Sequence, residues 1–188
     1  MRMISHKKKL QLNHKGFIKN TKQIPSPNYN ARPKDTEINL IVIHNISLPP
    51  NQYGGNFIEQ FFTNKLDSNK HPYFKEIKNV KVSSHFVIDR KGDLVQYVSC
   101  NYRAWHAGIS EWNGKDNCNN YSIGIELEGS DHLEYDNAQY EKLNQLIDCL
   151  KSIYNIKDIV GHCDIAPGRK TDPGPLFNWD LINIGKNT

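Results

Sequence analysis

Residues 38–44 read INLIVIH, a nearly unbroken apolar run rich in β-branched side chains that ends on a histidine. Such a run has no polar face to offer water, so it predicts a strand buried on both sides, inside a sheet covered by helices. Pro49 and Pro50 end regular structure beyond it. Partners for this strand can be read further along. Residues 121–128 (YSIGIELE) alternate, placing Ile123, Ile125 and Leu127 on one face. Residues 84–98 (SHFVIDRKGDLVQYV) read as two alternating strands around a Lys-Gly-Asp turn, a hairpin. Residues 158–162 (DIVGH) predict a short strand that ends on a second histidine.

Two segments carry helical spacing. Phe57, Ile58, Phe61 and Phe62 form one stripe within 56–66, and Leu143, Leu146, Ile147, Leu150 and Ile153 recur through 137–154. Asp136 with Gln139 resembles a capping box for the second helix. Ala166–Pro175 is too rich in turn residues to be regular. The order strand, helix, hairpin, strand, helix, strand predicts an α/β fold, a single domain with a central mixed β-sheet flanked by α-helices. The length of 188 residues suits one domain.

Charge is unevenly spread. Residues 1–23 hold Arg2, Lys7, Lys8, Lys9, Lys15, Lys19 and Lys22 with no acid, and removing those seven charges from the net +4 leaves about −3. We therefore divide the chain into a basic N-terminal arm, 1–23, expected to be solvated, and a domain, 24–188, entered through Pro25, Pro27 and Pro33. A domain that is not basic is not expected to bind nucleic acid. No apolar run approaches the roughly 20 residues of a membrane helix, so no membrane partner is expected. The N-terminus has no apolar stretch of signal-peptide length. Cys100, Cys118, Cys149 and Cys163 are scattered without a CxxC pair and are expected to stay reduced in the cytoplasm.

Among eight histidines, His44 and His162 end strands, where a rigid scaffold presents side chains to a cleft. Each alone also reads as a hydrogen-bonded structural histidine. Asp172 follows His162 by ten residues, and two histidines with one carboxylate would leave a fourth tetrahedral position open, as a catalytic zinc site needs. Asp164 competes for that role, and spacing does not choose between them. Glu126 and Glu128 share a strand face opposite Ile123, Ile125 and Leu127; one of them beside a metal could act as general base, or both could be solvated acids. Lys170 could stabilise an oxyanion or be an ordinary surface lysine. No HExxH helix motif occurs.

These residues sit inside longer stretches. VIHNISLPPNQYGG (42–55), HPYF (71–74), VQYV (95–98), RAWHAG (103–108), CNNYSIGIELEG (118–129) and GHCDIAPGRKTDPGP (161–175) occur in order from about Pro25 to Trp179. This series resembles the zinc amidases of bacterial cell-wall recycling, which cleave 1,6-anhydro-N-acetylmuramoyl-L-alanine in the cytoplasm. The resemblance implies the N-acetylmuramoyl-L-alanine amidase and peptidoglycan-recognition-like fold. It implies one zinc ion per chain held by His44, His162 and Asp172, with Glu126 and Lys170 catalytic. It further implies a small muropeptide as substrate, with Trp105 against the sugar and Asn45 and Lys81 near the peptide. Lys81 stands where such amidases often carry arginine, and Asn117 replaces a second basic residue, so the grip on the peptide carboxylate is altered. A non-catalytic peptidoglycan-binding relative would have lost a ligand, and all three are present. Only the basic arm speaks for a nucleic-acid or polymerase partner. A monomer is expected.

Overall fold

The computed structural model describes residues 9–183. In chain order, Lys22–Gln23 (β1) and Tyr29–Ala31 (β2) precede the β-branched run, which forms Leu40–Ile46 (β3). Two short helices follow, Phe57–Phe62 (α1) and Pro72–Ile77 (α2), and then the hairpin Phe86–Ile88 (β4) and Leu94–Gln96 (β5). Tyr102–Ala104 (β6), Glu111–Trp112 (β7) and Lys115–Asp116 (β8) lead to the long strand Ser122–Glu128 (β9). Asn137–Lys151 (α3), Asp158–Gly161 (β10) and the one-turn His162–Ile165 (α4) come last.

Six strands share one sheet in the order β1-β5-β4-β9-β3-β10. The β4–β5 hairpin is antiparallel and the other neighbouring pairs are parallel, so the sheet is mixed. β2 pairs with β6, and β7 with β8, as small antiparallel ribbons. The apolar run is an interior strand between β9 and β10, as its composition requires, and Leu40 through Ile43 are all buried.

The two faces of the sheet differ. Ile41, Ile43, Ile123, Ile125, Leu127, Phe86 and Ile88 point to one side, where Leu143, Leu146, Ile147 and Leu150 of α3 cover them in one large apolar core. Each such side chain, fully buried, contributes about 1.5–3 kcal/mol. The opposite face carries two smaller apolar clusters. Leu40, Val42, Val160 and Ile165 form one, and Phe62, Val87, Tyr97 and Ala104 the other. On this second face β9 carries Ser122, Gly124, Glu126 and Glu128, and β3 carries His44. The candidate site lies on this polar strip.

Several expectations need correction. The helix expected over 56–66 stops at Phe62, because Asn64 adopts a left-handed backbone with φ of 59°. Helix 137–154 ends at Lys151, while the side chain of Gln139 accepts from the Asp136 N–H at 3.1 Å, as the capping pattern suggests. The strand expected over 158–162 ends at Gly161, and His162 opens α4. The solvated arm is corrected for residues 9–23. Ile18 is fully buried in the core, β1 extends the sheet beyond β5, and the side chain of Gln96 accepts from the Ile18 N–H and donates to the Gly16 carbonyl, both at 2.8 Å. Apolar Ile18 outweighs the surrounding lysines. Arg2, Lys7 and Lys8 lie outside the described residues.

Candidate metal centre and active site

β3 and β9 run parallel with His44 directly opposite Glu126. Pleating places paired residues of parallel neighbours on one face, so the imidazole and the carboxylate emerge side by side. β10 lies on the other flank of β3 and delivers His162 just past its end. The irregular loop then returns, pinned where the Cys163 N–H donates to the Asp172 carbonyl at 2.9 Å.

Three potential ligand atoms meet at this point. His44 Nδ1, His162 Nδ1 and Asp172 Oδ2 are each 3.0 Å from the other two. Both histidines are buried. Burial pushes the His44 imidazole down to about 4, and the neighbouring charge of His162 acts in the same direction against the Asp172 carboxylate, so the ring is neutral at pH 7. Burial would raise Asp172, but the two imidazoles beside it outweigh that effect and hold its carboxyl well below the usual range. The donor set is thus two buried imidazoles and one partly buried carboxylate. That combination fits a divalent cation of borderline softness. With a cation in the cluster, the ligating nitrogen of His162 is Nδ1, since its Nε2 lies 3.0 Å from the Ala107 carbonyl, which can only accept.

Asp164 is used elsewhere. Its Oδ2 accepts from the Gly161 N–H at 2.7 Å and caps α4. The choice left open by spacing falls to Asp172.

The two glutamates also part company. Both are buried, which overturns the solvated reading of this strand face. Glu128 Oε1 accepts from the Gly54 N–H at 2.5 Å and Oε2 from the Arg90 N–H at 3.3 Å. Glu126 Oε2 has no hydrogen-bond partner among the described residues. Burial, aided by the Asp172 charge and opposed by Lys170, pushes the Glu126 carboxyl well above its ordinary value. A buried, unpartnered carboxyl beside a metal-ligand cluster is suited to exchanging protons.

Known proteins resemble this chain over most of its length. Residues 34–175 match the family model described as N-acetylmuramoyl-L-alanine amidase. The 1,6-anhydro-N-acetylmuramyl-L-alanine amidase AmpD of Escherichia coli (strain K12) is 50% identical over 173 residues, covering 90% of this chain and 93% of the relative. The chain belongs to the N-acetylmuramoyl-L-alanine amidase family. The crystal structure of a selenomethionine AmpD derivative aligns with a TM-score of 0.89 at 48% identity, over 92% of this chain and 97% of that one. A complex of the peptidoglycan recognition protein ectodomains LCa and LCx bound to tracheal cytotoxin aligns at 15% identity with a TM-score of 0.56, over 82% and 85% of the chains. That likeness carries the fold alone.

In this amidase a cavity of about 330 Å³ opens over the cluster, and His44, Asn45, Trp105, Glu126, Lys170 and Asp172 line it. Lys81 is exposed and is not among the lining residues; Val82 and Ser83, next in the chain, are. The Asn45 amide is partly consumed, since Nδ2 donates to Asp131 Oδ1 at 2.8 Å and to the Pro173 carbonyl at 3.1 Å. Trp105 is held by its edge, with Nε1 donating to Asn30 Oδ1 at 2.9 Å. The apolar wall supplied by Phe61, Tyr73, Ile77 and Val82 was not foreseen. Its one sequence signal was Pro72, a helix-starting proline followed by Tyr73 on a helix too short to show a period.

Proposed function

We propose that this amidase is a zinc enzyme that hydrolyses the amide joining the lactyl group of (1,6-anhydro)N-acetylmuramic acid to L-alanine in muropeptides, in peptidoglycan turnover and recycling. The observation that carries the reading is the convergence of three donor atoms at 3.0 Å beside a buried carboxyl group whose Oε2 has no hydrogen-bond partner among the described residues. The name of the relative that shares half of its residues with this chain supplies the substrate class.

A zinc ion on His44, His162 and Asp172 would supply Lewis acidity, making water a nucleophile near neutral pH and polarising the scissile carbonyl. Glu126 Oε2 takes a proton from the attacking water and returns it to the departing alanine nitrogen. The Lys170 ammonium, on the same cavity wall, stabilises the oxyanion; removing one such donor costs about 10²–10³ in kcat. Trp105 offers its ring face to the sugar. Asn45, with its amide nitrogen occupied, offers Oδ1 to the peptide, and Lys81 approaches the peptide from the rim. Four unpaired cysteines fit a reducing compartment, and we place the enzyme in the cytoplasm as a monomer.

Mass spectrometry of products tests the proposal. Purified enzyme with zinc should release free peptide from anhydro-muropeptides, more slowly from reducing-end muropeptides, and least from intact sacculi. Faster release from sacculi would overturn both the substrate and the compartment.

A further inference from the structure

A ligating imidazole must present a lone pair, and for His44 the nitrogen that does so is decided three groups away. The chain of contacts begins at a backbone carbonyl. Ser122 Oγ lies 2.6 Å from the Cys118 carbonyl, which can only accept, so the single hydroxyl hydrogen is used there. Ser122 Oγ is also 3.1 Å from His106 Nε2, and with its hydrogen spent it accepts, which makes His106 Nε2 the protonated nitrogen. A neutral His106 then has its lone pair on Nδ1. That atom is 2.9 Å from His44 Nε2, which must donate to it. The hydrogen of a neutral His44 is therefore on Nε2, and Nδ1 is free to face His162 and Asp172.

We propose that His106 and Ser122 are positioning residues that lock His44 in its metal-ligating tautomer. The inference rests on the zinc reading above and deepens it. Two independent features of the fold hold the relay in place. Gly124 lies beneath the His106 ring, where an added Cβ would come within 2.5 Å of it, so the strand is left bare at the one position the imidazole covers. Asn119 Oδ1 accepts from the N–H groups of His106 and Ala107, at 3.0 and 2.8 Å, and fixes the backbone between them. That dipeptide serves both histidine ligands. The His106 side chain orients His44, and the Ala107 carbonyl orients His162.

Nuclear magnetic resonance of the zinc-loaded wild-type protein, in which a cation rather than a proton lies between His44 Nδ1 and Asp172, tests the relay without any variant. Long-range ¹H–¹⁵N spectra should show His44 and His106 both protonated on Nε2 and unprotonated on Nδ1; a His44 proton on Nδ1 overturns the proposal. Competition with a chromogenic chelator gives the second readout. His106→Leu should weaken zinc binding 10–100-fold, the usual effect of losing such a partner, and His106→Gln, whose carbonyl can accept from His44, should recover most of it. A zinc affinity within threefold of wild type in His106→Leu overturns the relay while leaving the zinc reading intact. A wild-type protein that takes up no zinc overturns the zinc reading, and the His106 tautomer, protonated on Nε2 by its contact with Ser122, then judges the relay by itself.

Discussion

Glu126 and Glu128 stand on one strand face, and what separates them is who already holds their oxygens. Glu126→Ala should keep metal content and melting temperature yet lose about 10²–10⁴ in kcat, the usual worth of a general acid–base group. Glu128→Ala should instead lose about 1–3 kcal/mol of stability, because the Gly54 and Arg90 amides lose their acceptor, with turnover only mildly reduced. Equal turnover defects would refute this division. Asp172→Ala should abolish zinc uptake by metal analysis, whereas Asp164→Ala should loosen α4 and keep the ion. At this scale the sequence was informative about residue types and uninformative about partners. His44 and His162 could be weighed as ligands because the chemistry of a metal demands such side chains, and it was the resemblance to the zinc amidases that completed the set with Asp172. Nothing local distinguished Asp172 from Asp164, since the difference is a backbone N–H reached only after α4 has turned. His106 stayed hidden for the same reason, because its partners come from β3 and β9.

Long periodic elements were legible and short ones were not. β3, β9 and α3 announce themselves because seven or more residues repeat a pattern that burial enforces. The two- and three-residue strands of the β2–β6 and β7–β8 ribbons carry no period, and α2 has a proline signal and little else. β1 was missed because lysines surround it. Its consequence is a prediction about truncation. Removing residues 1–8 should leave thermal stability near wild type. Removing 1–23 should lower it strongly, since Ile18 alone, cut to Ala, is expected to cost about 2–5 kcal/mol, and the outer edge of β5 would lose its partner. Calorimetry on the two truncations and on Ile18→Ala decides it; matching melting temperatures for the two truncations would show that the segment is dispensable.

Across the whole molecule, the active face is packed with histidines that burial keeps uncharged. Burial, with Arg32 nearby, pushes His85 down to about 3. Above pH 6.5 neither folded nor unfolded chain protonates it, and stability is fully present. As pH falls below 6.5, the unfolded chain binds a proton that the folded one refuses, so stability declines toward pH 3. Urea midpoints of metal-free protein should fall between pH 7 and pH 5, with His85 contributing on the order of 1–2 kcal/mol, and His85→Gln should flatten the slope. A slope unchanged in that variant would assign the acid sensitivity elsewhere. The sheet order has a consequence for biosynthesis as well. His44 and His162 are 118 residues apart, and β10, the strand that delivers His162, is the last to join the sheet. A nascent chain still missing its final thirty residues can pair β3 with β9 and pack α3, but it has one imidazole where three donors are needed. Ion capture would then be the closing stitch of folding, drawing free energy from loop closure already achieved. Any clip or premature stop ahead of β10 leaves a nearly complete sheet that is chemically silent, so hydrolytic competence certifies that synthesis has passed Asp172.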